Sequence, residues 1–141
     1  MLSQIEQAAS FMAVAISALS EAYELLDDQM ADRAEEELFR PVQAAYGRAQ
    51  RTHSEFAQRH GLPTAQFAPA PAGAPAHGVK GFFDEAIAAI GQADQTLATL
   101  QDSMLPVEVG DPELRHGLEQ IRELLSHLGV RARDLTRTLG R

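Results

Sequence analysis

Residues 2–30 read LSQIEQAASFMAVAISALSEAYELLDDQM, and their periodicity decides the fold class. Ile5, Ala9, Met12, Ile16, Leu19, Tyr23, Leu26 and Met30 recur at steps of four and three, the spacing of a helix with one long packing seam. A second strip, Ala8, Phe11, Ala15, Ala18, Ala22 and Leu25, repeats beside it. One strip serves one partner helix. Two strips predict a helix packed from two sides, with alanines permitting close approach.

Ser3 and Glu6 have the spacing of a capping box, which is expected to start this helix. No Gly or Pro interrupts the chain until Pro41, which would remove a helical hydrogen bond and clash with the preceding turn. A break or sharp kink is therefore expected at 39–41. The alternative is a break at 28–32, where Asp27, Asp28 and Asp32 weaken the run and Asp32 with Glu35 could cap a new helix. Beyond Pro41, Val42, Ala45, Ala49, Thr52 and Phe56 mark a second amphipathic helix that stops at Gly61 and Pro63.

Residues 62–80, LPTAQFAPAPAGAPAHGVK, contain four prolines among small residues and predict a non-helical connection, with a passive spacer as the simplest role. A third helix is expected from Phe82 to Met104, seamed by Phe83, Ala86, Ile90, Ala93, Leu97, Leu100 and Met104. Asp111–Pro112 then opens a fourth, the carboxylate capping free amides and the proline at the first helical position. Leu114, Leu118, Ile121, Leu125, Leu128, Ala132, Leu135 and Leu139 form its seam. The short 105–111 connection makes the last two helices antiparallel neighbours. The expected fold is all-α, an antiparallel bundle of three long helices plus a shorter or kinked one, within one domain of 141 residues.

Charge alternates along the chain: nine acids and two bases in 1–40, one acid and four bases in 41–80, six acids and no base in 81–112, four acids and six bases in 113–141. Opposite rims suit neighbouring antiparallel helices. The net charge of −8 argues against nucleic acid as a partner, and the arginines at 131, 133, 137 and 141 lack the aromatic interleave that single strands require. Cysteine is absent, which excludes disulfide and thiolate chemistry. Polar residues interrupt every apolar stretch, so no membrane span is expected, and residues 11–19 lack the basic flank of a signal peptide. A cytoplasmic location is the expectation.

Glu113-x-x-His116 has the spacing found in carboxylate-bridged metal bundles, and Glu123 and His127 stand one turn apart. Both pairs fall beside the seam rather than on it, so solvent-facing polar pairs are the simpler reading. His53, His60 and His77 read as incidental surface residues, and Asp94 lies close to its helix's seam. No phosphate loop, nucleotide fingerprint or catalytic triad is present, and no cofactor is implied. Tyr23 and Asp27 have the spacing of the export signal of small helical type VII secretion substrates. Those proteins carry a Trp-x-Gly turn, this chain has no Trp, and no family is assigned.

The sequence thus points to a noncatalytic scaffold, adaptor or regulatory interaction module. A protein partner or a second copy would dock through Phe11, Ala15, Ala18, Ala22 and Leu25. A metal-binding bundle enzyme on Glu113, His116, Glu123 and His127, or a small-ligand-binding bundle, are the alternatives.

Overall fold

A computed structural model describes residues 1–71 and 78–139; His77 and Arg141 lie outside them, as does the side chain of Leu139. Helix α1 spans Leu2–Glu24 and α2 Asp28–Ala34. A π-helical turn, Glu35–Phe39, leads into α3, Arg40–Arg59. Helices α4, Gly78–Asp102, α5, Leu105–Val109, and α6, Pro112–Leu139, complete the chain.

The break expected at 39–41 lies instead at residues 25–27. Asp27 caps α2 there, its carboxylate accepting from the Met30 amide at 2.8 Å. Pro41 sits inside a continuous helical run because the turn before it is wide: the Arg40 amide bonds to the Glu35 carbonyl, five residues back. A proline has no amide to place and its ring needs room, and the π turn suits both conditions. Of the last residues of the expected seam, Tyr23 in the final turn of α1 is exposed, and Leu26 and Met30 beyond it are only partly buried against the core.

Helices α1, α3, α6 and α4 pack in that cyclic order, each antiparallel to its neighbours. Glu6 meets His53 and Ile16 lies near Tyr46 across α1–α3; Arg59 meets Asp111 across α3–α6; Asp94 meets Arg122 across α4–α6. Consequently α3 and α4 run the same way, and the chain between them must return along the bundle. A 20-residue helix is about 30 Å long, a span that the residues between Arg59 and Gly78 are numerous enough to cover. The connection is thus a crossover imposed by topology, and α4 begins at Gly78, four residues before the expected start.

One core joins all four long helices, with Ile5, Met12, Leu38, Phe83, Leu97, Leu100, Leu118, Ile121 and Leu125 almost fully enclosed. Helix α1 packs most extensively on α4. Alanines on both, Ala8, Ala15, Ala18 and Ala22 facing in from α1 and Ala86, Ala89 and Ala93 from α4, are buried and allow the backbones to approach. Ile16, placed by its spacing in the central seam, is only half-buried, because α1's inward face is centred on Ala8, Met12, Ala15, Leu19 and Ala22. By length and composition α1 does reach the apolarity of a membrane span, contrary to the expectation, and here its apolar face forms the bundle core.

Helices α3 and α6 come close for another reason. A Cβ on Gly117 would lie 2.5 Å from Thr52 Oγ1 and 3.2 Å from Thr52 Cβ, so only glycine fits at this crossing. Between α4 and α6 the chain turns through Met104 and Gly110, both left-handed at φ 65° and 73°, with the single turn of α5 between them.

A polar groove between helices α3 and α6

Around the Gly117–Thr52 crossing, side chains of the two helices line a groove that extends to either side of it. Its α6 wall is the stripe Glu113, His116, Gln120, Glu123 and His127, spaced three and four apart and therefore on one face. The α3 wall is Ala44, Arg48, Arg51, Thr52 and Glu55. Two adjoining hollows share Arg48. One holds about 440 Å³ between Ala44, Arg48, Arg51, Gln120, Glu123, Leu124 and His127. The other holds about 390 Å³ between Arg48, Thr52, Glu55, Pro112, Glu113 and His116. The four metal-candidate residues thus share one groove, but among the described residues no three His, Asp or Glu side chains are grouped to hold a metal ion.

At one end the groove is closed by a clamp. The Arg59 guanidinium donates to both Asp111 oxygens, Nε to Oδ2 at 3.0 Å and Nη2 to Oδ1 at 2.9 Å, and its Nη1 reaches Glu113 at 2.8 Å. His60 Nε2 lies 3.0 Å from Asp111 Oδ2, and the Leu114 amide donates to Oδ1 at 3.0 Å. Burial pushes the Asp111 carboxyl up, but the Leu114 amide, His60 and Arg59 together outweigh it and hold the pKa down at about 2. Asp111 is the helix cap expected from the Asp–Pro pair. It also ties the end of α3 to the start of α6, which the sequence did not indicate.

The groove's cations are less well served. Arg33, Arg59, Arg122 and Arg137 each meet a carboxylate. Arg48 and Arg51, one turn apart on α3, have no ion-pair partner among the described residues, and Arg48 Nε is shielded from water without a hydrogen bond. A buried guanidinium donor left unbonded is costly, and an anion would relieve it. Neither arginine stood out in the sequence. Their only signal was the excess of bases in 41–80.

Asp94 accepts from Arg122 at 2.9 Å, and Gln101 accepts from the same guanidinium, so Asp94 is a bridge between α4 and α6. That hydrogen bond to Asp94 raises the Arg122 pKa further. His53, read as a surface residue, is 1% exposed: the α1–α3 contact and Phe67 of the crossover enclose it. Of the interaction strip, Ala15, Ala18 and Ala22 are fully buried within this chain's own core, Phe11 packs half-buried at its edge, and Leu25 is 55% exposed at the α1–α2 turn. Comparison with known protein families, with characterised proteins and with solved structures returns no match for this chain.

Proposed function

We propose that the protein is a noncatalytic interaction module that receives an acidic segment of a partner protein in the α3–α6 groove. The observation that carries this reading is the pair Arg48 and Arg51, without an ion-pair partner among the described residues, beside the apolar side chains of Ala44 and Leu124. The groove is open and elongated, two hollows in line along the helices, which suits the side chains of a peptide better than one compact ligand. Its carboxylates and histidines lie along a helix face, with Glu113 held by Arg59, rather than converging on a point where a reaction could be assembled. A separate protein is favoured over a second copy because the alanine row of α1 is used inside the bundle.

A synthetic peptide of four glutamates flanked by leucines serves as the probe. Saturable binding that weakens with salt, and is lost in Arg48→Gln/Arg51→Gln with helical content intact, is the expected result. Equal binding by parent and double variant would reject the groove as the site.

A further inference from the structure

The crossover contributes a second, separate surface. Beyond Leu62, whose amide still bonds to the Ala57 carbonyl, residues 63–71 leave the helices and lie over the α1–α3 seam. The Ser17 hydroxyl donates to the Ala70 carbonyl. Phe67 sets its ring edge-on to Tyr46 at 6.5 Å and to His53 at 5.4 Å. Pro69 rests by Ala13, Ile16, Ser17, Gln43, Tyr46 and Gly47, at a hollow of about 350 Å³. An aromatic anchor, a proline and one carbonyl bond are the means by which grooves hold extended peptides supplied from outside.

Three features make this seat exchangeable. Apart from Phe67, Ala65 and Ala70 the segment 63–71 is exposed, so little surface holds it. Pro69 only borders the hollow of about 350 Å³ beside it. Beneath Phe67, neither ring nitrogen of His53 has a hydrogen bond among the described residues; a Glu6 oxygen approaches Nε2 at 3.3 Å without alignment. Water would reach that imidazole once Phe67 left, which lowers the cost of departure.

We propose that the α1–α3 groove is a docking site for a partner's extended, uncharged Phe-x-Pro segment, and that residues 63–71 occupy it in cis as a competing ligand. The chemistry of the partner follows from the occupant and the wall. Residues 62–71 carry no charge, and neither do the residues lining the hollow. This surface is distinct from the arginine groove, which lies on the other side of α3.

The probe is the fluorescent synthetic peptide of residues 62–71, LPTAQFAPAP, titrated against the full chain and read by anisotropy. Tethered at millimolar effective concentration, the native segment should keep the peptide out of the parent. Phe67→Ala empties the anchor position, and this variant should bind the peptide saturably and at least about tenfold more tightly than the parent does. A peptide with its own Phe changed to Ala should not bind, and adding Tyr46→Ala to the variant should abolish binding. Helical content is checked by circular dichroism; if Phe67→Ala loses it, Phe67→Leu supplies the same comparison. A folded variant with no saturable binding up to millimolar peptide would overturn the proposal. So would a parent that binds as tightly as the variant, or a parent whose mass doubles with concentration as two copies exchange straps, which would make a second copy the occupant.

Discussion

The α1–α4 and α3–α6 contacts are both built on small residues, yet one is sealed and the other is open. On α1–α4 the alanines are flanked by more apolar side chains, so close approach merges directly into the core. On α3–α6 a single glycine against Thr52 sets the distance, and the flanking positions are Arg48, Arg51, Glu113, His116, Glu123 and His127. Long polar side chains extend toward water rather than interdigitate, and a groove remains between them. Close backbone packing therefore does not by itself close a surface. What stands one turn to either side decides it.

The sealed side should be the hardest to disturb without unfolding the chain. Met12→Asp places a carboxylate at a fully enclosed position of α1 and should cost about 4 kcal/mol, read from the urea midpoint. Ile16→Asp, at a half-buried site, should cost less than half as much. Equal losses would mean that the two faces of α1 are not distinguished as described.

Next in size is the clamp at the end of the open side. Asp111→Ala removes a helix cap and a partner of Arg59 and His60, and should cost about 2 kcal/mol. The same group gives a pH dependence. Its folded pKa of about 2 lies below the ordinary value of 3.8, so its contribution is present above about pH 4 and is lost as pH falls toward 2. In the pH 4 to 2 window, the parent should lose about 2 kcal/mol more than Asp111→Ala does. Parallel pH curves for the two proteins would show that the clamp is not formed in solution.

Gly117→Ala tests the crossing beneath the groove. Alanine gains about 1 kcal/mol of helix propensity over glycine, but its methyl would press on the stiff, β-branched Thr52. Overpacking of this kind costs about 1–3 kcal/mol, so a net loss of about 1 kcal/mol is expected. Gly117→Ala combined with Thr52→Ser should recover part of it. A single variant more stable than the parent would show that the helices can move apart freely.

The smallest effect on stability should come from the groove walls. Arg48→Gln and Arg51→Gln remove no ion pair among the described residues, and the denaturation midpoint should move by less than about 0.5 kcal/mol. A larger loss would give these arginines a structural role and weaken the case that they wait for an anion.

The sequence by itself determined the helices, most of their buried faces and the cap at Asp111–Pro112. These depend on spacing along one helix and on chemistry within one turn, and both are local. Even locally, Pro41 misled: its ban on the ordinary helix was legible, but the π turn that accommodates it was not, because a wide turn costs little only when Leu38 has a core to enter. Tertiary structure alone decided the order of the helices around the core, and with it the parallel course of α3 and α4 that turns a proline-rich spacer into a strap. It also decided which polar residues meet. Arg48 and Arg51 differ from Arg59 in no way that a sequence displays; one finds Asp111 and Glu113, whereas the others face a groove. Pairing across helices depends on register between distant segments, and register is set by how small residues let two backbones approach.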